Sequence, residues 1–200
     1  MKALIIVDLQ NDFIPGGSLA VPDGDKIITR VNELQKKFDV VVATQDWHPA
    51  NHKSFASQHE GKNPFDIIDL NGLQQTLWPD HCIQGTKGAE LHKDLNTNKI
   101  EAIFRKGTNP EIDSYSGFFD NGRKKSTGLH GYLQERKVSS VFVCGLAADF
   151  CVYYTALDAL SVGYDTTILD ESVKAIDPIN YIELKDNFRS KGGKISSYIL

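Results

Sequence analysis

Ala3-Leu4-Ile5-Ile6-Val7-Asp8 opens the chain with five apolar residues in succession, three of them β-branched, and then an acid. An unbroken apolar run of this length, rather than an alternating one, is what a parallel strand covered on both faces requires. The acid that ends it places a carboxylate at the carboxyl end of that strand. Short β-rich runs recur at 40–43, 102–104, 141–143, 166–169 and 195–199. Between them, 25–37, 127–136, 148–161 and 178–191 have helical composition or apolar spacing. The alternation predicts an α/β fold, a three-layer, doubly wound, mostly parallel sheet with helices on both faces and right-handed crossovers. Ligands of such sheets gather beyond the carboxyl ends of the strands.

The bulk numbers narrow the function classes. Two hundred residues are enough for one domain with a sizeable core, and residues 1–200 are expected to fold as one unit. The net charge of −4 leaves no basic surplus for phosphates, and Arg123-Lys124-Lys125 is a short solvated cluster, so nucleic acid is not expected as a partner. No apolar run approaches the ~20 residues that cross a bilayer, which argues against a membrane protein. Residues 1–7 do not read as a signal peptide, because Asp8 ends the run and no small-residue cleavage site follows. Three cysteines form no disulfide framework, which fits a reducing, cytoplasmic setting. Oligomeric state is left open, a homo-oligomer included.

Polar residues placed just after the strands converge at one rim of the sheet. Asp8 follows 3–7, Asp46 follows 40–43 within three residues, Lys106 follows 102–104 within two, and Cys151 lies past 141–143. Cys151 is expected to open a helix, where unpaired N–H groups favour thiolate over thiol; the plainer reading is a buried cysteine acting as a small hydrophobe. Asp8 is placed to take a thiol proton and return it to a leaving amine, with Lys106 holding both anions. Taken singly, Asp8 reads as a strand-end cap and Lys106 as a surface amine; their shared location favours chemistry.

A second group is Asp46-Trp47-His48, with Trp78-Pro79-Asp80-His81-Cys82 downstream. A carboxylate and two imidazoles suit Zn²⁺, Mn²⁺ or Fe²⁺, and Asp-x-His spacing puts both side chains on one side of an extended segment. The competing reading is two loop histidines bonded to backbone. Cys82 is read as a packed thiol. The whole stretch 45–98, rich in His, Asn, Gly and Pro and weakly periodic, reads as a long functional loop.

These motifs carry a resemblance. Asp8-Leu9-Gln10-Asn11-Asp12-Phe13, Asp46-Trp47-His48-Pro49, Trp78-Pro79-Asp80-His81-Cys82, Phe104-Arg105-Lys106-Gly107, Tyr115-Ser116-Gly117-Phe118 and Gly145-Leu146-Ala147-Ala148-Asp149-Phe150-Cys151-Val152 occur in this order. In them the chain resembles the nicotinamidases of the isochorismatase-like cysteine hydrolase superfamily, which also act on pyrazinamide. The resemblance implies a triad of Asp8, Lys106 and Cys151, and a divalent ion on Asp46, His48 and His81, zinc before iron or manganese. It implies Phe13, Trp78 and Tyr115 around the pyridine ring of nicotinamide. It also implies a cis bond between Leu146 and Ala147, and an oxyanion hole from the N–H groups of Ala147 and Cys151. The reaction implied is hydrolysis of nicotinamide to nicotinate and ammonia through a cysteine thioester, in NAD salvage. Ser54 stands where some relatives place a fourth ligand, His or Glu, so water or a weak Ser54 contact is expected there. Isochorismatases and carbamoyl-amide hydrolases of the same superfamily generally lack the Asp-x-His set. A phosphoacceptor receiver domain matches Asp8, Asp46 and Lys106 but gives no account of Cys151, His48 or His81.

Overall fold

The apolar runs at 3–7 and 40–43 form strands buried on both sides, which is why they do not alternate, whereas the run at 102–104 forms an edge strand with Ile103 exposed. The computed structural model describes residues 1–197. In chain order it holds β1 (Lys2–Val7), α1 (Ile28–Leu34), β2 (Val40–Asp46), β3 (Ile67–Leu70), β4 (Leu73–Thr76), β5 (Ala102–Lys106), α2 (Leu129–Glu135), β6 (Ser140–Leu146), α3 (Tyr153–Ser161), β7 (Asp165–Lys174), α4 (Pro178–Ser190) and β8 (Lys194–Ser196). Of the strand expected over 195–199, residues 198 and 199 lie outside the described residues.

Six strands make one sheet in the order β5-β2-β1-β6-β7-β8, and every neighbouring pair is parallel. Successive side chains of a strand leave by opposite faces. From β1, Ala3, Ile5 and Val7 join an apolar cluster with Leu129 and Leu133 of α2, Ala156 and Ala159 of α3, and Phe188 of α4. Leu4 and Ile6 join a second cluster with Ile28, Val31 and Leu34 of α1. The sheet is therefore the middle of three layers, as the sequence predicts. Fully burying each such large apolar side chain contributes about 1.5–3 kcal/mol.

The chain winds from β1 through β2 to β5 in one direction, and from β6 through β7 to β8 in the other. Right-handed crossovers then place α1 on one face and α3 and α4 on the opposite face. The reversal falls between β1 and β6, and it opens a crevice beyond their carboxyl ends. Asp8 leaves the sheet on one side of that crevice and Ala147 on the other.

The connection from β2 to β5 departs from the loop expected over 45–98. It contains an antiparallel hairpin, β3 with β4. Asn71 and Gly72 turn it with φ of 56° and 85°, the Asn-Gly signature of a tight hairpin. That dipeptide is the signal that identifies the hairpin in the sequence. Single bridges, His48 with Ile83 and Phe55 with Trp78, fold the rest of the connection back onto the end of β2.

At the crevice β1 and β6 are pressed together. Gly145 has a φ of +113°, and a Cβ there would lie 2.0 Å from the Val7 carbonyl oxygen. Neither the dihedral nor the space admits a side chain. Gly145→Ala is expected to destabilise the protein by at least about 3 kcal/mol, read as a fall in the urea midpoint; an unchanged midpoint would mean that the strands separate at no cost.

Candidate active site and metal centre

β1 delivers Asp8 with its backbone in the left-handed region, φ 47°, which ends the strand and turns the carboxylate toward β2. There Thr44 donates to Asp8 Oδ1 at 2.6 Å. Asp46 and Lys106 are the last residues of their strands and stand opposite one another in the β2–β5 register. Gln10 fixes the Asp46 backbone: its amide donates to the Asp46 carbonyl at 2.8 Å and its oxygen accepts the Asp46 N–H at 2.8 Å.

Lys106 is the hub. Its Nζ lies 2.9 Å from Asp8 Oδ2, 2.8 Å from Asp46 Oδ1 and 3.4 Å from Cys151 Sγ, and it donates to the Ser114 carbonyl at 3.0 Å. One ligand atom each from Asp8, Asp46 and Cys151 lie within 4.8 Å of one another. With an ammonium seated among them, this is an ion-pair cluster rather than a metal site. Burial alone pushes the Lys106 pKa down, but Asp46, Asp8 and Cys151 outweigh it and hold the amine well above its usual value. Burial pushes Asp46 up, and Lys106 with His48 overcomes that, so this carboxyl sits well below its ordinary range. For Asp8, burial wins over Lys106 and the pKa is raised.

Cys151 lies in a π-helical turn, Ala148–Val152, that leads into α3. Burial raises its thiol well above the usual value, and Lys106 only partly offsets this. Burial thus opposes the thiolate that the helix start favours, while the Lys106 ammonium 3.4 Å away supports it. The peptide bond Leu146–Ala147 is cis.

Asp46 also faces two imidazoles. Its Oδ2 is 3.3 Å from His48 Nε2 and 3.6 Å from His81 Nε2. His48 Nδ1 bonds the Gly107 carbonyl at 2.9 Å, and His81 Nδ1 bonds the Pro79 carbonyl at 2.7 Å. A carbonyl only accepts, so each Nδ1 carries a proton and each Nε2 is turned toward the Asp46 oxygen. Gly107, φ +63°, is required beneath this group, because a Cβ would come 2.3 Å from His48 Cε1. Burial lowers the pKa of His48, yet Asp46 raises it further, so the pocket favours positive charge there. One carboxylate oxygen and two imine nitrogens on rigid partners fit a borderline divalent cation. The expected fourth position, Ser54, has its hydroxyl 2.7 Å from His52 Nδ1.

Beside both groups lies a narrow cleft that reaches the surface. Its apolar wall is Phe13, Leu19, Trp78, Tyr115, Phe150 and Ile176; Asp46, His81, Asp113 and Cys151 supply the polar part. Phe150 stands edge-on to Trp78 at 4.8 Å and to Tyr115 at 5.6 Å, so three aromatic rings line one wall of the slot. Phe13, Trp78 and Tyr115 were legible in the motifs. Leu19, Asp113 and Ile176 were not, since nothing local marks them. Asp149 explains one of these: its carboxylate accepts the N–H groups of Ile176 and Asp177 at 2.9 and 2.8 Å. It thus ties the turn that carries Cys151 to the opposite wall.

If the ammonium holds the cluster together, Lys106→Met leaves Asp8 and Asp46 buried side by side without a counter-charge. Stability of the metal-free protein at pH 7 is expected to fall by about 3–5 kcal/mol. Both carboxyl pKa values would then rise above the unfolded value. Such groups stabilise at low pH and lose that contribution as pH climbs through the folded pKa, so the deficit should narrow on acidification. Urea titrations of both proteins across pH test this; a deficit independent of pH would count against the hub.

The chain is similar to known proteins along almost its whole length. An isochorismatase domain model matches residues 2–198. A nicotinamidase of Escherichia coli (strain K12) is 49% identical over 180 residues, spanning 88% of this chain and 84% of the relative. A solved nicotinamidase/pyrazinamidase from Acinetobacter baumanii superposes with a TM-score of 0.94 at 48% identity, covering 97% of this chain and 94% of that one. A Pyrococcus horikoshii pyrazinamidase solved in complex with zinc gives a TM-score of 0.82 at 40% identity, with 98% and 99% covered. The chain belongs to the isochorismatase domain family, on its nicotinamidase branch.

Proposed function

We propose that this chain is a nicotinamidase that hydrolyses nicotinamide, and pyrazinamide, through a Cys151 thioester. The observation that carries the reading is that the Lys106 ammonium touches Asp8, Asp46 and Cys151 at one edge of an aromatic slot. Asp46, His48 and His81 would hold the cation. Zinc is favoured by the donor set and by the zinc complex of the pyrazinamidase relative, with iron or manganese as alternatives. When bound, the ion supplies a Lewis-acid contact for the ring nitrogen.

The chain's own residues do the rest. Trp78, Tyr115, Phe150 and Phe13 hold the ring flat and present the carboxamide carbon to the sulfur. Asp8, within 4.8 Å of Cys151, takes the thiol proton as the sulfur attacks. A raised Asp8 pKa suits this exchange, because it makes the carboxylate a stronger base, and the Lys106 ammonium offsets part of the burial that opposes the thiolate. Backbone N–H groups of Ala147 and Cys151 meet the oxyanion, at about 3 kcal/mol per donor. Asp8 returns the proton to the departing ammonia, then activates the water that releases nicotinate. Lys106 keeps the cluster near neutrality throughout. The role fits NAD salvage in the cytoplasm. Among the described residues no helix is long and apolar enough to cross a membrane.

Ammonia release tests the assignment. Cys151→Ala is expected to lower turnover of nicotinamide by at least about 10⁴-fold, while metal content and ring binding persist; full activity in this variant would exclude the nucleophile. Dialysis against a chelator should raise KM, with zinc restoring it, and isochorismate should not be consumed. The acid limb of kcat/KM should fall above the ordinary Asp pKa of about 3.9, since Asp8 must be ionised to act and burial raises its pKa. A limb at or below that value would exclude Asp8 as the base.

A further inference from the structure

His52 takes no part in the chemistry above, yet it is fully buried against the metal centre. Its ring centroid lies 4.3 Å from that of His48. Ser54 approaches its Nδ1 twice, through the hydroxyl at 2.7 Å and through the backbone N–H, which donates at 3.2 Å. A backbone N–H is only a donor, so Nδ1 must be the unprotonated nitrogen, and the neutral ring carries its proton on Nε2. This rules His52 Nε2 out as a metal ligand and makes it a donor. Among the described residues that Nε2 has no hydrogen-bond partner, although it is wholly buried. A buried donor left unmatched costs enough that native proteins supply an acceptor, often an ordered water.

The acceptor chemistry nearby comes from Asp113. One ligand atom each of His48, His52 and Asp113 lie within 4.8 Å of one another. The Asp113 oxygens accept one N–H each, from Ser114 at 2.7 Å and Gln75 at 3.0 Å, which leaves a lone pair on both. A single oxygen at hydrogen-bond distance, about 2.8 Å, from two such groups spans a gap of this size. We infer that His52 Nε2–H and the Asp113 carboxylate together hold an ordered water beside His48, and that the bound cation takes this water as a ligand. The inference rests on the metal-centre reading. It makes His52 a positioning residue: it donates to the water, Asp113 accepts from it, and Ser54 fixes the tautomer that permits this. Ser54 therefore acts on the metal centre one step removed, through His52, and not as the weak ligand its position suggests.

The test measures metal retention and not activity. Zn²⁺ affinity of the metal-free protein is read by competition with a chromophoric chelator, and the Co²⁺-loaded protein by its visible spectrum. His52→Phe keeps the ring and its packing but loses the donor. It is expected to weaken Zn²⁺ binding by about 10–100-fold and to alter the Co²⁺ spectrum. His52→Gln, whose amide N–H reaches the Nε2 position, should recover most of both. Equal Zn²⁺ affinity in wild type and His52→Phe overturns the inference and leaves His52 a packing residue. If wild type and Asp46→Ala bind Zn²⁺ equally poorly, the metal-centre reading itself falls, and this inference with it. The wild-type protein gives a separate measurement should His52→Phe not fold. A ¹⁵N-edited histidine spectrum should show His52 with its proton on Nε2, and that resonance should move on Zn²⁺ binding; an Nδ1–H form, or an unmoved signal, overturns the inference.

Discussion

Everything at the carboxyl edge of the sheet depends on one buried ammonium. Asp8 and Asp46 are almost wholly excluded from solvent, and two carboxylates so close cannot both stay ionised without a cation between them. Lys106 supplies it from the end of a neighbouring strand, with the Ser114 carbonyl taking part of its hydrogen-bonding capacity. The two acids then diverge. Asp46, against both Lys106 and His48, remains a firm anion able to face a metal; Asp8, where burial outweighs the amine, keeps the readiness to accept a proton. One side chain thus leaves two neighbouring acids with opposite proton affinities.

The sheet brings this about through topology. Asp8, Asp46 and Lys106 end three adjacent strands, β1, β2 and β5, and Cys151 follows the strand on the far side of β1. The winding direction changes between β1 and β6, so no crossover covers the point where these residues meet. The Gly145 approach to Val7 draws the two sides together, and the long β2–β5 connection folds back to return His81 to Asp46.

Those features were legible in the sequence in proportion to how local their causes are. Short apolar runs followed within a few residues by Asp8, Asp46 and Lys106 declare parallel strands and the rim where they end, because apolar run length and period are local facts. The Asn71-Gly72 hairpin had its own local signal, hidden by the polar composition around it. Asp113, Ile176 and Leu19 were not legible: their roles arise only when distant loops close over the cavity. His52 was hidden for a different reason, since its importance rests on which ring nitrogen is protonated, and this is fixed by the backbone of Ser54. The environment of Cys151 could not be read from a helix start alone, because burial and the Lys106 ammonium act on the same sulfur in opposite senses.

The Asp149 carboxylate makes two parts of the slot mechanically one. It joins the π-helical turn that carries Cys151 to the segment that forms the far wall, accepting two successive N–H groups from that segment. Pressure on Ile176 is therefore passed to the turn, so the wall and the sulfur keep a common spacing.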